Sequence, residues 1–160
     1  MKSLVNRVAG YYGWVSRLLS LLQPVALLAA RLYVAKVFFA AGLTKLQDWD
    51  TTLFLFEEEY SVPLLPFELA AWLATAGEIL LPLLLVFGLA TRVGALGLSV
   101  VNIVAVISLE EIAPAALTQH LLWGVLLAQI LIWGAGALSL DRLVKTRPKV
   151  SEQMRSWTFC

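Results

Sequence analysis

Four apolar stretches, at about Val25 to Leu43, Leu69 to Leu89, Val93 to Leu109 and Leu121 to Leu140, decide what this chain can fold into. Each approaches the roughly 20 residues that a helix needs to cross a bilayer core. With no water there to satisfy an open backbone, helices and closed barrels alone can span. The lengths predict an all-α integral membrane four-helix bundle. A composition of 60% hydrophobic and 14% charged residues, with a mean hydropathy of +0.82, fits lipid as the main solvent. A net charge of +1 gives no basis for nucleic-acid binding.

The few charges encode orientation. Lys2, Arg7 and Arg17 precede the first stretch, Arg92 lies between the second and third, and Arg142, Lys145, Arg147, Lys149 and Arg155 follow the fourth. Lys45 is the one base on the opposite side, beside Asp48, Asp50, Glu57 to Glu59, Glu110 and Glu111. The positive-inside rule then predicts both termini in the cytoplasm, which four spans satisfy. The expected location is a bacterial cytoplasmic (inner) membrane.

The chain divides into residues 1–23, 24–141 and 142–160. In the first segment Leu4, Val8, Tyr11, Val15, Leu18 and Leu22 recur at helical spacing opposite Ser3, Asn6, Gly10, Gly13, Arg17 and Ser20. That pattern predicts an N-terminal amphipathic interfacial helix. Pro24 sits where a first-turn proline would open span one, and Pro82 is expected to kink span two. The connection from Thr44 to Glu68 is long enough for a short helix at Leu53 to Phe56 over the bundle mouth, with Glu57 to Glu59 facing water. The last segment reads as a basic cytoplasmic tail.

Ionisable groups at membrane depth are costly and mark candidate sites. They are Arg31, Lys36 and Glu78, with Asn102 and Gln129 as hydrogen-bonding candidates and His120 near a boundary. Counting about 1.5 Å per residue places Lys36 and Glu78 both roughly 16 Å deep and Arg31 roughly 9 Å deep. Glu78 thus has Lys36 or Arg31 as its expected cation. The pair reads either as an ion pair that fixes helix register or as a proton-handling site. Aromatic belts account for most of Trp49, Trp72, Trp123 and Trp133, and an aromatic quinone pocket is permitted. Gly94 with Gly97, and the run Gly134 to Ala137, permit close helix contact and leave a homo-oligomer possible.

Some chemistries lack their parts. With Cys160 the single cysteine and His120 the single histidine, no thiol relay, iron–sulfur cage or bis-histidine haem can be assembled within one chain. No dinucleotide fingerprint or other metal site is evident.

Arg31 followed by Phe39, Ala41-Gly42-Leu43 and Lys45-Leu46, then Pro63, Glu78 and Gly88-Leu89-x-Thr91-Arg92, resembles the DoxX family of small four-span bacterial membrane proteins. The resemblance runs from about Ala30 to Asp141. It implies a membrane subunit of a quinone-linked redox system, thiosulfate:quinone oxidoreductase-like, with membrane quinone as cofactor and a redox protein as partner. On that implication Arg31 and Lys45 contact an anion or a quinone oxygen, Glu78 handles the proton, and His120 is a peripheral proton donor. Other relatives imply a non-enzymatic accessory or assembly role in metal-stress or peptide-maturation systems.

Overall fold

The computed structural model describes residues 2–145. The side chains of 2–6, 8–9 and 143–145, and all of 146–160, lie outside the described residues, and with them Leu4, Val8, Arg147, Lys149, Arg155 and Cys160. Six helices follow one another among the described residues: α1 Lys2–Gln47, α2 Trp49–Glu58, α3 Phe67–Phe87, α4 Thr91–Ile107, α5 Pro114–Trp133 and α6 Leu140–Lys145. The long ones, α1, α3, α4 and α5, form the bundle. Val34, Ala35, Phe38, Leu85, Ala95, Leu98, Leu127 and Ile130 make its core. Large apolar side chains such as Leu80, Leu96, Val100, Ile103, Val125 and Ile132 point outward, as suits a helical bundle whose surroundings are lipid.

Gly10–Gln47, Phe67–Phe87 and Pro114–Trp133 are long and apolar enough to cross a membrane. The 17-residue α4 is a little shorter, about 26 Å. Helix ends differ from the sequence expectation where backbone chemistry overrides hydropathy. Pro114 starts α5 at its first turn, and positive φ at Gly134 and Gly136 ends it, so the fourth span begins and finishes earlier than Leu121 to Leu140.

The amphipathic segment and span one are a single helix. Pro24 lies inside α1 rather than at a helix start. Lacking an N–H, it leaves the Ser20 carbonyl without its helical donor. Burial on α1 begins at Leu27, while Tyr11, Tyr12, Trp14, Leu18, Leu19, Leu21, Leu22 and Val25 are exposed before it. α3 likewise runs unbroken through Pro82, which removes the helical partner of the Glu78 carbonyl.

The expected short helix over the bundle mouth is α2. Asp48 caps it, accepting from the Thr51 backbone N–H at 3.0 Å and the Thr51 hydroxyl at 2.7 Å. Thr52 and Phe56 face inward and Glu57 to Glu59 face out. The α2–α3 and α4–α5 connections meet beside it, where Ser61 N–H donates to the Ser108 carbonyl at 2.8 Å.

Candidate functional site

Most of the polar residues at membrane depth sort into two centres at opposite ends of the bundle. Arg31 belongs to one of them and Glu78 to the other.

Arg31 is 1% exposed, within reach of the Asp141 charge, and its hydrogen bonds go to backbone carbonyls. Its Nε donates to the Leu85 carbonyl at 2.8 Å and Nη2 to Val86 at 3.1 Å. Nη1 donates to Ala135 at 2.7 Å and Leu138 at 2.9 Å. The guanidinium thus satisfies last-turn carbonyls of α3, where the helix dipole is negative, and ties them to the α5–α6 connection. Gly88 makes room for it. Its φ of +65° is the left-handed turn that ends α3, and a Cβ there would meet Arg31 Nη2 at 2.5 Å. On the other side of this junction Asp141 accepts from the N–H groups of Ala90 at 2.8 Å and Thr91 at 3.0 Å, capping α4, whose own Ala90 has no side chain to do so. Arg92 donates to the Ile132 carbonyl near the end of α5.

At the α2 end, Lys45 Nζ and Glu78 Oε2 form an ion pair at 2.5 Å. Neither expected partner of Glu78 is used. Lys36 is exposed on the outer face of α1, and Arg31 bonds α3 carbonyls seven and eight positions beyond Glu78, roughly 10 to 12 Å along the helix. Rotation explains the choice. Lys36 and Lys45 are nine positions apart, about 180° around α1, whereas Arg31 and Lys45 are within about 40° of each other. Gly42 lets α1 and α3 approach closely here, since a Cβ would meet Ile79 Cδ1 at 2.9 Å and Glu78 Cβ at 3.0 Å.

The ion pair forms part of the wall of a cavity of about 450 Å³, within the usual size of small-molecule sites. Its other walls include Phe38, Phe56, Tyr60, Val101, His120 and Trp123. The lining is apolar apart from a few convergent polar groups. Tyr60 lies beside Phe56, with ring centroids 5.0 Å apart, and burial together with the charges of Glu59 and Glu78 pushes its phenol above its ordinary pKa, so it stays a protonated donor at neutral pH. Trp123 stacks edgewise on Phe38 and on His120, at 5.8 and 4.9 Å. Its indole N–H is buried without an acceptor. Trp123 is therefore part of the cavity wall rather than of an interfacial belt, a role that hydropathy alone did not signal.

His120 bonds to α4 through Asn102, whose Nδ2 donates to the His120 carbonyl at 3.0 Å while Oδ1 meets Nδ1 at 2.8 Å. Asn102 thus makes the interhelical bond expected of it, and Gln129 makes no hydrogen bond among the described residues. A second, more open apolar groove between α4 and α5 is lined by Asn102 and shares His120 with the cavity. Of the candidate residues, Lys45, Glu78 and His120 converge on one cavity, and Arg31 stands apart as the fastener of the other end.

Residues 26–111 match the DoxX family. The chain belongs to the DoxX family. The matched DoxX region carries Arg31, Gly42, Lys45, Glu78, Gly88 and Asn102, while His120, Trp123 and Asp141 follow it. A Haemophilus influenzae protein described as uncharacterized is 32% identical over 130 residues, covering 76% of this chain and 84% of its own. No solved structure matches the chain.

Proposed function

We propose that the cavity takes the head group of a membrane-dissolved quinone and that this DoxX protein is the membrane subunit of a quinone-linked redox system. The observation that carries the reading is the convergence of Lys45, Glu78 and His120 on one apolar cavity within the bundle. The protein sits in the cytoplasmic membrane with both termini inside and α2 over the outer mouth. An ammonium and a phenol supply donors for quinone oxygens, and Glu78 and His120 supply sites that exchange protons when electrons move. The electrons come from a partner protein, because the chain carries no redox centre of its own in this reading. Arg31 is not assigned to the ligand here. Its four carbonyl contacts leave it a structural task.

The test is quinone reduction in membranes containing the chain, measured for wild type, Glu78→Gln and His120→Phe. Loss of quinone reduction in variants that keep their helicity and membrane insertion supports the reading; unchanged rates in both reject it.

An accessory role has one observation in its favour. The segment of α1 before Leu27 exposes Tyr11, Trp14, Leu18 and Leu22. If docking a protein through that segment is the function, Leu18→Ser with Leu22→Ser abolishes a defined complex while the cavity variants leave it intact.

A further inference from the structure

The cavity has a chemical preference written into the Asn102–His120 pair. A backbone carbonyl only accepts, so the Asn102 amide must present its NH2 to the His120 carbonyl, at 3.0 Å. That leaves Oδ1 against His120 Nδ1 at 2.8 Å, and two acceptors cannot bond each other. Nδ1 therefore carries the ring proton. Neutral His120 is held as the Nδ1–H tautomer, with a bare lone pair on Nε2.

Nε2 has no hydrogen-bond partner among the described residues, nor is it among the buried orphaned atoms, so it remains accessible on a ring that lines both the cavity of Lys45 and Glu78 and the groove between α4 and α5. Of the other polar groups facing the cavity, Glu78 keeps one oxygen beyond its bond to Lys45, and the rest are engaged or are donors. Lys45 and Glu78 neutralise each other, the Ser108 hydroxyl donates to the Val104 carbonyl, and Tyr60 keeps its proton. His120 Nε2 is thus an uncommitted acceptor. A head group bearing only carbonyl oxygens brings Nε2 another acceptor and gains nothing from it, whatever it accepts from the donors of the wall. A head group with a hydroxyl brings it a donor.

We infer that the cavity selects an amphiphile carrying a phenolic hydroxyl, which in the reading above is the reduced quinol rather than the quinone, with His120 Nε2 accepting the O–H and Asn102 acting as the positioning residue that fixes the tautomer. The identification of the phenol as a quinol rests on the proposed function; the hydroxyl preference rests on the geometry.

Because His120 is the only histidine, ¹⁵N-histidine labelling of the full chain reports on this ring alone. In the ligand-free protein, above the pH at which the ring charges, Nδ1 is expected to give a protonated, pyrrole-type signal and Nε2 a pyridine-type signal. Decylhydroquinone should move the Nε2 signal and leave Nδ1 in place, and should bind about tenfold more tightly than decylquinone, the value of one good hydrogen bond. In parallel, 4-nonylphenol should move Nε2 and its methyl ether should not. A shift with nonylphenol but no binding of either decyl compound retains the hydroxyl site and rejects the quinone reading. Equal binding and equal shifts for decylquinone and decylhydroquinone reject the hydroxyl preference and retain the quinone reading. An Nε2–H tautomer in the free protein overturns the inference outright. Asn102→Leu should give mixed tautomers and reduce the preference for the hydroxyl form; the wild-type spectra decide the matter even if this variant does not fold.

Discussion

Lys45, in the last turn of α1, is bonded to Glu78, eleven residues into the 21-residue α3. A residue at the end of one helix thus reaches the middle of another, because α1 stops short and α2 folds across the gap. The carboxylate is mostly buried and the ammonium is partly open to the cavity. Removing the cation strands a buried charge.

Lys45→Met should therefore destabilise the protein by about 3 to 5 kcal/mol, the usual cost of breaking a buried pair from one side. Glu78→Gln, which removes the charge and keeps a polar end, should cost less. Lys45→Met combined with Glu78→Leu should recover much of the loss. Thermal unfolding in mild detergent checks all three. A double variant as unstable as Lys45→Met alone would show that the pair does more for the fold than compensate charge.

Arg31 fastens the other end, and its geometry predicts a different mutational pattern. Lysine at this position cannot fork to four carbonyls on two segments, so Arg31→Lys should lose about 2 kcal/mol and Arg31→Ala more, since buried carbonyls are left unpaired. Gly88→Ala should resemble Arg31→Lys, because it both strains the positive-φ turn and crowds the guanidinium. Measured ligand binding per folded molecule should stay at the wild-type level in Arg31→Lys. A folded Arg31→Lys that has lost ligand would move Arg31 into the binding machinery.

Tyr60 gives a pH dependence whose sign is fixed. Its phenol ionises above the ordinary value of 10.0 in the folded protein because of burial and the acidic charges of Glu59 and Glu78. The folded state holds the proton more tightly than the unfolded state, so stability is unaffected below the ordinary tyrosine range and falls as pH rises from there toward the folded pKa. Tyr60→Phe should blunt that fall. Unfolding midpoints at neutral and strongly alkaline pH compare the two, and an equally steep alkaline loss in Tyr60→Phe would assign it to another group.

The bundle was legible because hydropathy and length report on lipid exposure, which governs every span. Pro114, expected in the connection before the fourth span, instead opens α5. The site was less legible. Depth counting made Lys36 level with Glu78, and the roughly 140° between Arg31 and Lys36 meant that one of them faces elsewhere, but the sequence did not say which; in the structure Lys36 turns outward and Arg31 and Lys45 share the inner face. Depth counting also treated Lys45 as exterior, since nothing in composition reveals that α1 ends inside the bundle mouth. Arg31 looked like a partner for Glu78, but its charge partner is Asp141 and its hydrogen bonds go to backbone carbonyls, which leave no trace in side-chain chemistry. Trp123 looked like any boundary tryptophan until the α1 and α5 faces were known.

The central claim is that this cavity holds a quinone head group. The most direct measurement is mass spectrometry of the lipids and cofactors extracted from gently purified protein, for wild type, Glu78→Gln and His120→Phe. The account predicts quinone or its quinol retained by wild type above the membrane background and lost from both variants while they remain folded. Quinone and quinol at the background level in all three would contradict it.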